Sequence, residues 1–573
     1  MKNFLFAFFL FLSLTCIAQN TSPKNIDNYE PLQYDTSEPL VSADIVLRST
    51  NTYLKSGLGF GSNTFDGSSG NNDLSKQNFV EQTFHGSKNP PKLLTSFDGL
   101  GFGFKGPHGE ANLRNPSDNS LAVGPNHIMQ TVNGRMAIFA KKGKKYDTSG
   151  KVLYGPVNTN TVFKGFGGPC ERINNGDAVV RYDQLADRWL IVMPTFRRMP
   201  SRTDRIAARL DQPGKAAQLY VPSKNYEEER QKPSKLDGSF CMCYAISTSS
   251  DPFGTYYRYE FKRDLFPDYP RPAVWPNGYY TTTSTGDHVN ERHAYVVDRE
   301  KMLKGEKATE QSFILQDINF VINADLDGTQ TPPLGSPNIM MGTGGTQLEG
   351  ILEDDGIYVW KYHVDWEDPT KTKLEGPEKI TVEPYSYLCG GQLTSCVPQP
   401  GTEVRLDSQG DKIMSRLVYR KIGDRESIVA VHSVNTELSG GVRWYEFWLD
   451  DKRNVKLYQQ GTFAPDVAYR WMASPAMDAK GNIGIGYSYG SASEFPGQRF
   501  AGRLSGDKPG VLTMKEVILV NGEASQTNTL RWEDYTQTAI DPSDDMTIWY
   551  VGDYFKENGD NYSTKIGAFQ LEK

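Results

Sequence analysis

No stretch of this 573-residue chain stays apolar for long enough to cross a bilayer. The longest run, Phe4 to Leu14, falls short of the ~20 residues a helix needs to span about 30 Å of hydrocarbon. It follows a short positive start, Met1-Lys2-Asn3, and leads to Cys16-Ile17-Ala18 before Gln19, so residues 1–18 read as a signal peptide removed after Ala18. A lipoprotein reading through Cys16 is the rival, but Ser13 and Thr15 fit its usual pattern poorly. The mature chain is therefore expected to be secreted, periplasmic or on the cell surface of a Gram-negative bacterium, and not membrane-spanning. Positive charge is not in surplus either: 62 Lys and Arg face 69 Asp and Glu, for a net charge of −7. No basic stripe carries interleaved aromatics, which removes nucleic acid from the expected partners.

Cysteine and histidine are scarce, at 6 and 7, and no Cys/His cluster has zinc spacing. Export makes disulfides possible. Cys389-Gly-Gly-Gln-Leu-Thr-Ser-Cys396 is a compact loop suited to a bridge, and Cys170 has Cys241 or Cys243 as its candidate partner. Cys241 and Cys243, read as neighbours along a strand, are expected to face opposite sides. The chain also lacks a sialidase-type Ser-x-Asp-x-Gly-x-x-Trp box and a Gly-x-Ser-x-Gly motif, so no reaction type is favoured and catalysis stays open.

What is present is a repeated phrase: a small-plus-aliphatic pair, a short polar turn, then a second apolar strand. It occurs at Ala122-Val123, Ala178-Val179, Ala273-Val274, Ala476-Met477 and Ala539-Ile540, with looser copies at Ile351-Leu352 and Val404-Arg-Leu406. Each copy reads as a β-hairpin with a Gly/Asn/Asp/Pro turn. Small residues suit strands crowded where several sheets converge. The expectation is an all-β chain, a β-propeller of seven blades over 92–573, with a pair of β-sandwiches as the alternative. Aromatics at 12% with 54 Gly and 33 Pro agree with strands and turns.

Residues 19–91 are rich in Asn, Ser, Gly and Thr and read as a low-complexity linker or wrapping arm. The last blade shows only three strands (Thr536–Asp541, Thr547–Asp553, Lys565–Leu571), so the short strand Lys92–Phe97 is expected to close the ring as its fourth. A charged insert over 197–238 interrupts the second blade and must project from one face, as a lid, a partner flap or a solvated loop. Arg299–Leu303 reads as one helical turn. Asn323-Ala-Asp-Leu-Asp-Gly328 matches the start of a calcium loop through Asn323, Asp325 and Asp327, but Leu334 stands where the loop's glutamate belongs, and a plain Asx turn is the competing reading.

Asn119-Ser-Leu-Ala-Val-Gly-Pro-Asn-His127, Arg181-Tyr-Asp-Gln-Leu-Ala-Asp-Arg-Trp189, Thr248-Ser-Ser-Asp-Pro-Phe-Gly-Thr-Tyr-Tyr-Arg-Tyr259 and Ala324-Asp-Leu-Asp-Gly328 resemble phrases of a widespread, largely uncharacterised family of secreted bacterial proteins. The resemblance spans about 92–573 and implies export and a β-propeller. It brings no catalytic residues, and the 197–238 insert departs from the usual pattern.

The turns, His127 included, are what tight hairpins require. A ligand site is expected at the opposite end, among residues that precede each small-aliphatic pair: Asp118-Asn119, Asp177, Asp268-Tyr269 with Arg271, Glu349, Glu403, Arg470-Trp471 and Arg531-Trp-Glu-Asp-Tyr535. From these, Asp177, Arg271, Arg470, Trp471, Glu533 and Asp534 form the candidate set. Trp faces stack on sugars, Arg pairs with carboxylate or sulfate, and clustered carboxylates can take opposed protonation states. The expected function is binding of an extracellular polysaccharide, another glycan or a surface protein at the axial mouth. A polysaccharide hydrolase or lyase using the same mouth is the alternative.

Overall fold

The computed structural model describes residues 26–42, 80–174, 176–195, 240–263, 267–284, 291–316, 320–344, 355–391 and 395–572. Residues 1–18, expected to be a signal peptide, and the charged insert 197–238 lie outside them. So does most of the segment 19–91, of which 26–42 and 80–91 are described. Among the described residues no helix is long and apolar enough to cross a membrane.

The chain is all-β. Among the described residues, seven successive four-stranded antiparallel units follow one another, and their first strands are Ser120–Val123, Val179–Asp183, Asp268–Trp275, Val321–Asp327, Leu417–Ile422, Tyr469–Met477 and Gln537–Ile540. Small residues sit where the repeat placed them: Ala122, Ala273 and Ala476 are buried in these strands. Each first strand is tied to the next unit. Val180 N donates to Ser120 Oγ at 3.0 Å, Arg181 Nε to Pro272 O at 3.0 Å, and Val274 N to Asp325 Oδ1 at 2.8 Å. Ala324 pairs in parallel with Leu417, Met472 N donates to Ser433 Oγ at 3.3 Å, and Thr538 N to Ser474 Oγ at 2.9 Å. Ser120 Oγ then donates to Gln537 Oε1 at 2.8 Å, linking the seventh unit to the first.

The apolar core lies between the faces of neighbouring sheets, so each unit buries a side against the next. The contact of the sixth and seventh units stacks Phe500 on Phe569 at 4.1 Å, and Gly486 leaves room for the Tyr550 ring, to which a Cβ there would approach within 2.4 Å.

The fourth strand of the last unit is Lys92–Asp98, antiparallel to Ser563–Gln570. The preceding segment covers other edges. Asp27–Tyr29 adds to the third unit, Gln33–Thr36 to the second, and Glu81–Gln82 runs parallel to the outer strand of the fifth. Such additions cover backbone groups that an open edge leaves unpaired.

Three sequence expectations need correction. Of the two loose copies, Ile351-Leu352 lies outside the described residues, and Val404–Leu406 does not head a unit but belongs to a separate hairpin, Ser395–Gln399 with Thr402–Asp407. The fourth and fifth units begin instead at Val321 and Leu417, which lack the small-aliphatic pair followed by a short turn. Asn323, Asp325 and Asp327 lie within the strand Val321–Asp327 and not in an Asx turn. Finally, Cys241 and Cys243 are two residues apart on one strand and so share a face, since side chains alternate with period two. Both pack in the same core cluster as Cys170, and the bridge joins Cys170 to Cys243. Cys389 and Cys396 are bridged as expected. Arg299–Lys304 forms the short helix, capped by Asp298.

At the centre of the first strands sits a buried charge network. Arg416 Nε donates to Asp325 Oδ2 at 2.6 Å, its Nη2 binds Asp327, and Arg181 Nε lies 3.1 Å from the same Asp325 oxygen. Arg416 Nη1 also reaches Thr538 O at 3.4 Å. Units two, four and seven thus meet at the residue that leads into unit five.

Two outcomes are expected. Arg416→Met leaves buried Asp327 without its guanidinium and Asp325 with Arg181 alone, and should cost about 3–5 kcal/mol in urea unfolding. A chain starting at residue 87 should stay folded but less stable. One starting at residue 100 leaves the edge of Ser563–Gln570 open and should aggregate, which sedimentation of the two truncations checks.

Candidate functional site

The leading ends of the first strands share an unusual backbone. Asp118, Asp177, Tyr269, Met472, Glu533 and Asp534 have φ of +49°, +55°, +54°, +48°, +58° and +63°. They come from five units, each just before or near the start of a first strand. Side chains other than Gly, Asn and Asp rarely adopt this region, and each such residue costs of order 1–3 kcal/mol. In the third and sixth units the register also shifts near these positions, between Asp268 and Arg271 and between Trp471 and Ser474. A bulge of this kind re-aims side chains at a sheet end.

The strain gathers charge. Asp118 is 1% exposed, and its carboxylate oxygens meet no N–H or hydroxyl donor of the protein, only the carboxyl of Asp177. Burial pushes its carboxyl well above the usual range, and the neighbouring charges of Asp177 and Asp534 add to this. Asp177 is raised by burial first and by Asp534 next, while hydrogen bonds with Asp118 and Asp268 and the charge of Arg271 oppose the shift. Two acceptors facing each other without a donor require a proton between them. Tyr269 N donates to Asp177 Oδ2 at 3.3 Å, and Tyr269 Oη to Asp534 O at 2.9 Å. Arg271 lies between two rings, its Cζ 3.1 Å from the centroid of Tyr269 and 4.4 Å from that of Tyr535. Burial lowers its guanidinium to about 9, against the pull of Tyr535, Asp177 and Asp534. Its Nη2 and the Tyr535 hydroxyl are buried without hydrogen-bond partners.

A connection between the fourth and fifth units completes this end. Gln409 Nε2 donates to Asp534 Oδ1 at 3.0 Å, and Lys412 Nζ stands 4.1 Å over the Phe320 ring and 2.7 Å from Asp411 Oδ1. The hairpin of that connection reaches to the start of the seventh unit, where Asp407 accepts from Trp532 N at 2.7 Å and Arg531 Nε at 2.9 Å. Burial lifts the Asp407 carboxyl to about 7, with Arg531 opposing. Gln399 and Gln526 exchange two backbone-directed bonds, at 3.0 and 2.7 Å, and anchor the hairpin tip.

The candidate set therefore divides. Asp177, Arg271 and Asp534 converge, joined by Asp118, Tyr269 and Tyr535. Arg470 is held by Glu516 and Asp466 through four bonds of 2.8–3.0 Å. Trp471 is fully buried beside Trp532. Glu533 turns away from its neighbour Asp534 and accepts from Ser488 Oγ at 2.7 Å, Gln498 Nε2 at 3.1 Å and Asp553 N at 2.5 Å. Glu349 lies outside the described residues, and Glu403 is exposed on the hairpin. Asp325 and Asp327 are bound by guanidinium groups, which meet the charge a calcium ion would take, and Asn323 Nδ2 donates to Asn338 Oδ1 at 2.9 Å. His127, at the far end, contacts Tyr146 Oη at 3.2 Å, and burial lowers its imidazole to about 4. The 197–238 insert leaves its sheet between Thr195 and Cys241, a pair at the same end as Asp177.

Glu533 and Asp553 form a second buried acid pair, and burial lifts Asp553 to about 8. A carboxyl raised on folding holds its proton more tightly in the native state. Its stabilisation is present at acid pH and is lost as pH climbs from about 4 through the folded value. Asp553→Asn should therefore lessen the fall in stability between about pH 4 and pH 8, as urea midpoints across that range would show; an unchanged slope would assign the proton elsewhere.

No protein-family model and no curated protein matches the chain. Among solved structures it is similar to a protein of unknown function from Dyadobacter fermentans DSM 18053, at 9% identity over 83% of this chain and 100% of that one, with a TM-score of 0.34. It is similar also to extracellular domains 1-2 of Drosophila Semaphorin 1b, at 7% identity over 85% and 88% of the two chains and a TM-score of 0.35. The GH32 beta-fructofuranosidase of Bombyx mori follows at 6% identity over 80% and 91%, with a TM-score of 0.25. At these scores the likenesses bear on neither site nor ligand.

Proposed function

We propose that the seven units close into a seven-bladed β-propeller, with Lys92–Asp98 completing the last blade, and that this exported protein binds an extracellular glycan or other polar ligand at the axial mouth. The bonds that tie the first strand of each unit to its neighbouring unit, and the seventh unit back to the first, support the ring. Two disulfides agree with an oxidising compartment.

One observation carries the site. Arg271 Nη2 and Tyr535 Oη are buried polar atoms without protein partners, and the Asp118 carboxyl has only the Asp177 carboxyl to share a proton with; they come from the first, second, third and seventh units to one place. Unmet buried polar groups are few in folded proteins and cost about 1–3 kcal/mol each. Gathered at a strained strand end, they form a preorganised set of donors and acceptors for a polar ligand. The second reading, a carbohydrate-active enzyme, is favoured by Asp118 and Asp177: two carboxyls that share a proton are placed for acid–base work.

Electrophoresis through gels containing acidic or neutral polysaccharides, with a reducing-end assay on the same mixtures, separates these readings. Binding predicts retention without product, and Asp177→Asn should weaken retention while the melting temperature stays near wild type. A fall in melting temperature with unchanged retention would leave the charges as locks between blades and remove the site.

A further inference from the structure

Three cysteines meet between the first and second units. Cys170 and Cys243 are bridged, with their Cα atoms 5.8 Å apart, and Cys241 keeps its thiol. All three are fully buried, so the bridge beside it is the electrophile within reach of that thiol.

One carboxylate ties the three together. Cys243 stands opposite Glu260 on the neighbouring strand and Cys241 opposite Lys262, so Cys241, Cys243 and Glu260 share the face that packs on the first unit. Glu260 Oε2 accepts from Cys170 N at 3.2 Å, and the same carboxyl bonds the Cys241 thiol. The short helix of Cys170, Gly168–Arg172, comes this near because it opens on glycine: a Cβ at Gly168 would lie 2.8 Å from Glu260 Oε2. Cys170 is thus bonded to one strand cysteine through sulfur and linked to the other through a shared carboxylate. Burial raises the Glu260 carboxyl, against the bonds from Cys170 N and Gln33, the charge of Arg172 and the bond from Cys241. A more basic carboxylate is a better acceptor for a thiol proton, and the thiolate is the species that attacks a disulfide.

We propose that the bridge of Cys170 is an internal switch, exchanging between Cys243 and Cys241 in the folded protein. Cys241 gives its proton to Glu260, and its thiolate attacks Sγ of Cys170. The Cys170–Cys243 bond breaks, and the departing Cys243 thiolate takes the proton from Glu260. One disulfide and one thiol stand on each side of the reaction, so neither oxidant nor reductant is consumed. Cys241 pairs with Thr195 at the end of the sheet that Asp177 shares, and Cys243 lies one strand repeat, about 6–7 Å, further from it. The exchange therefore draws Cys170, seven residues before Asp177, toward the mouth and the root of the 197–238 insert.

Met242 lies between the two cysteines, so cyanogen bromide separates them for mass spectrometry. The full mature chain is kept folded at neutral pH, quenched in acid, unfolded, and its thiol labelled with N-ethylmaleimide at mildly acid pH, where thiolate is scarce. Bridged cysteines are then reduced and alkylated with iodoacetamide before cleavage. Exchange predicts N-ethylmaleimide on both Cys241 and Cys243, in proportions within about tenfold of each other. It also predicts that Cys243→Ser folds with Cys170 bridged to Cys241. Label confined to Cys241 overturns the inference, as does a folded Cys243→Ser chain in which Cys170 and Cys241 are both labelled. Cys389 and Cys396 are the internal control: label on Cys243 matched by label on these two is scrambling after unfolding, and it overturns the switch as well. Should Cys243→Ser fail to fold, the wild-type label alone decides.

Discussion

The guanidinium of Arg416, clasped by Asp325 and Asp327, is the contact on which the arrangement of the first strands depends. Removing such groups from water costs several kcal/mol per ion, and their attraction offsets this only when every donor and acceptor is met in good geometry. Arg181 supplies the second cation to Asp325, Pro272 O receives Arg181, and Thr538 O receives Arg416. The network is satisfied only if units two, three, four and seven stand where they do. A slip of one unit would strand a buried charge. Apolar packing between sheets is less selective, because neighbouring faces are all aliphatic and aromatic.

The mouth above this network has the same residue types and the opposite accounting of bonds. Arg470, Glu533 and Arg416 have their polar atoms engaged by protein. Arg271 and Tyr535 retain buried atoms that protein does not meet, and the Asp118 carboxyl meets only that of Asp177. Unmet atoms also occur at Arg420, which pairs with Asp545, so they support the proposed site only together with the convergence of several units there. Strain points the same way: Tyr269 and Met472 hold a left-handed backbone that their side chains disfavour, and they do so at the ends where the unmet atoms gather.

The sequence was legible where one local rule applies. Small-aliphatic pairs with tight turns marked five of the first strands, and the three-strand count of the last unit pointed to Lys92–Asp98. The fourth unit was missed because its first strand, Val321–Asp327, is followed by ten residues (328–337) before Asn338, too long for a hairpin signal. The fifth was missed because Leu417-Val418 lacks the small residue. Position before a first strand picked out Asp177, Arg271 and Asp534, which the fold brings together. It also picked Glu533, which is adjacent to Asp534 in sequence and faces the sixth unit, a distinction that rests on a backbone turn at φ +58° and +63° and not on any pattern of residue types.

The central claim is that the mouth holds a preorganised, incompletely satisfied acid pair, and infrared spectroscopy reads it directly. At neutral pH the protein should show the carbonyl stretch of a protonated carboxylic acid, and Asp118→Asn should remove part of that band while leaving the rest, which Asp553 and Glu533 contribute. A spectrum unchanged by Asp118→Asn would mean that Asp118 and Asp177 are both ionised, and the mouth would then be neither the proton-sharing pair nor the site described.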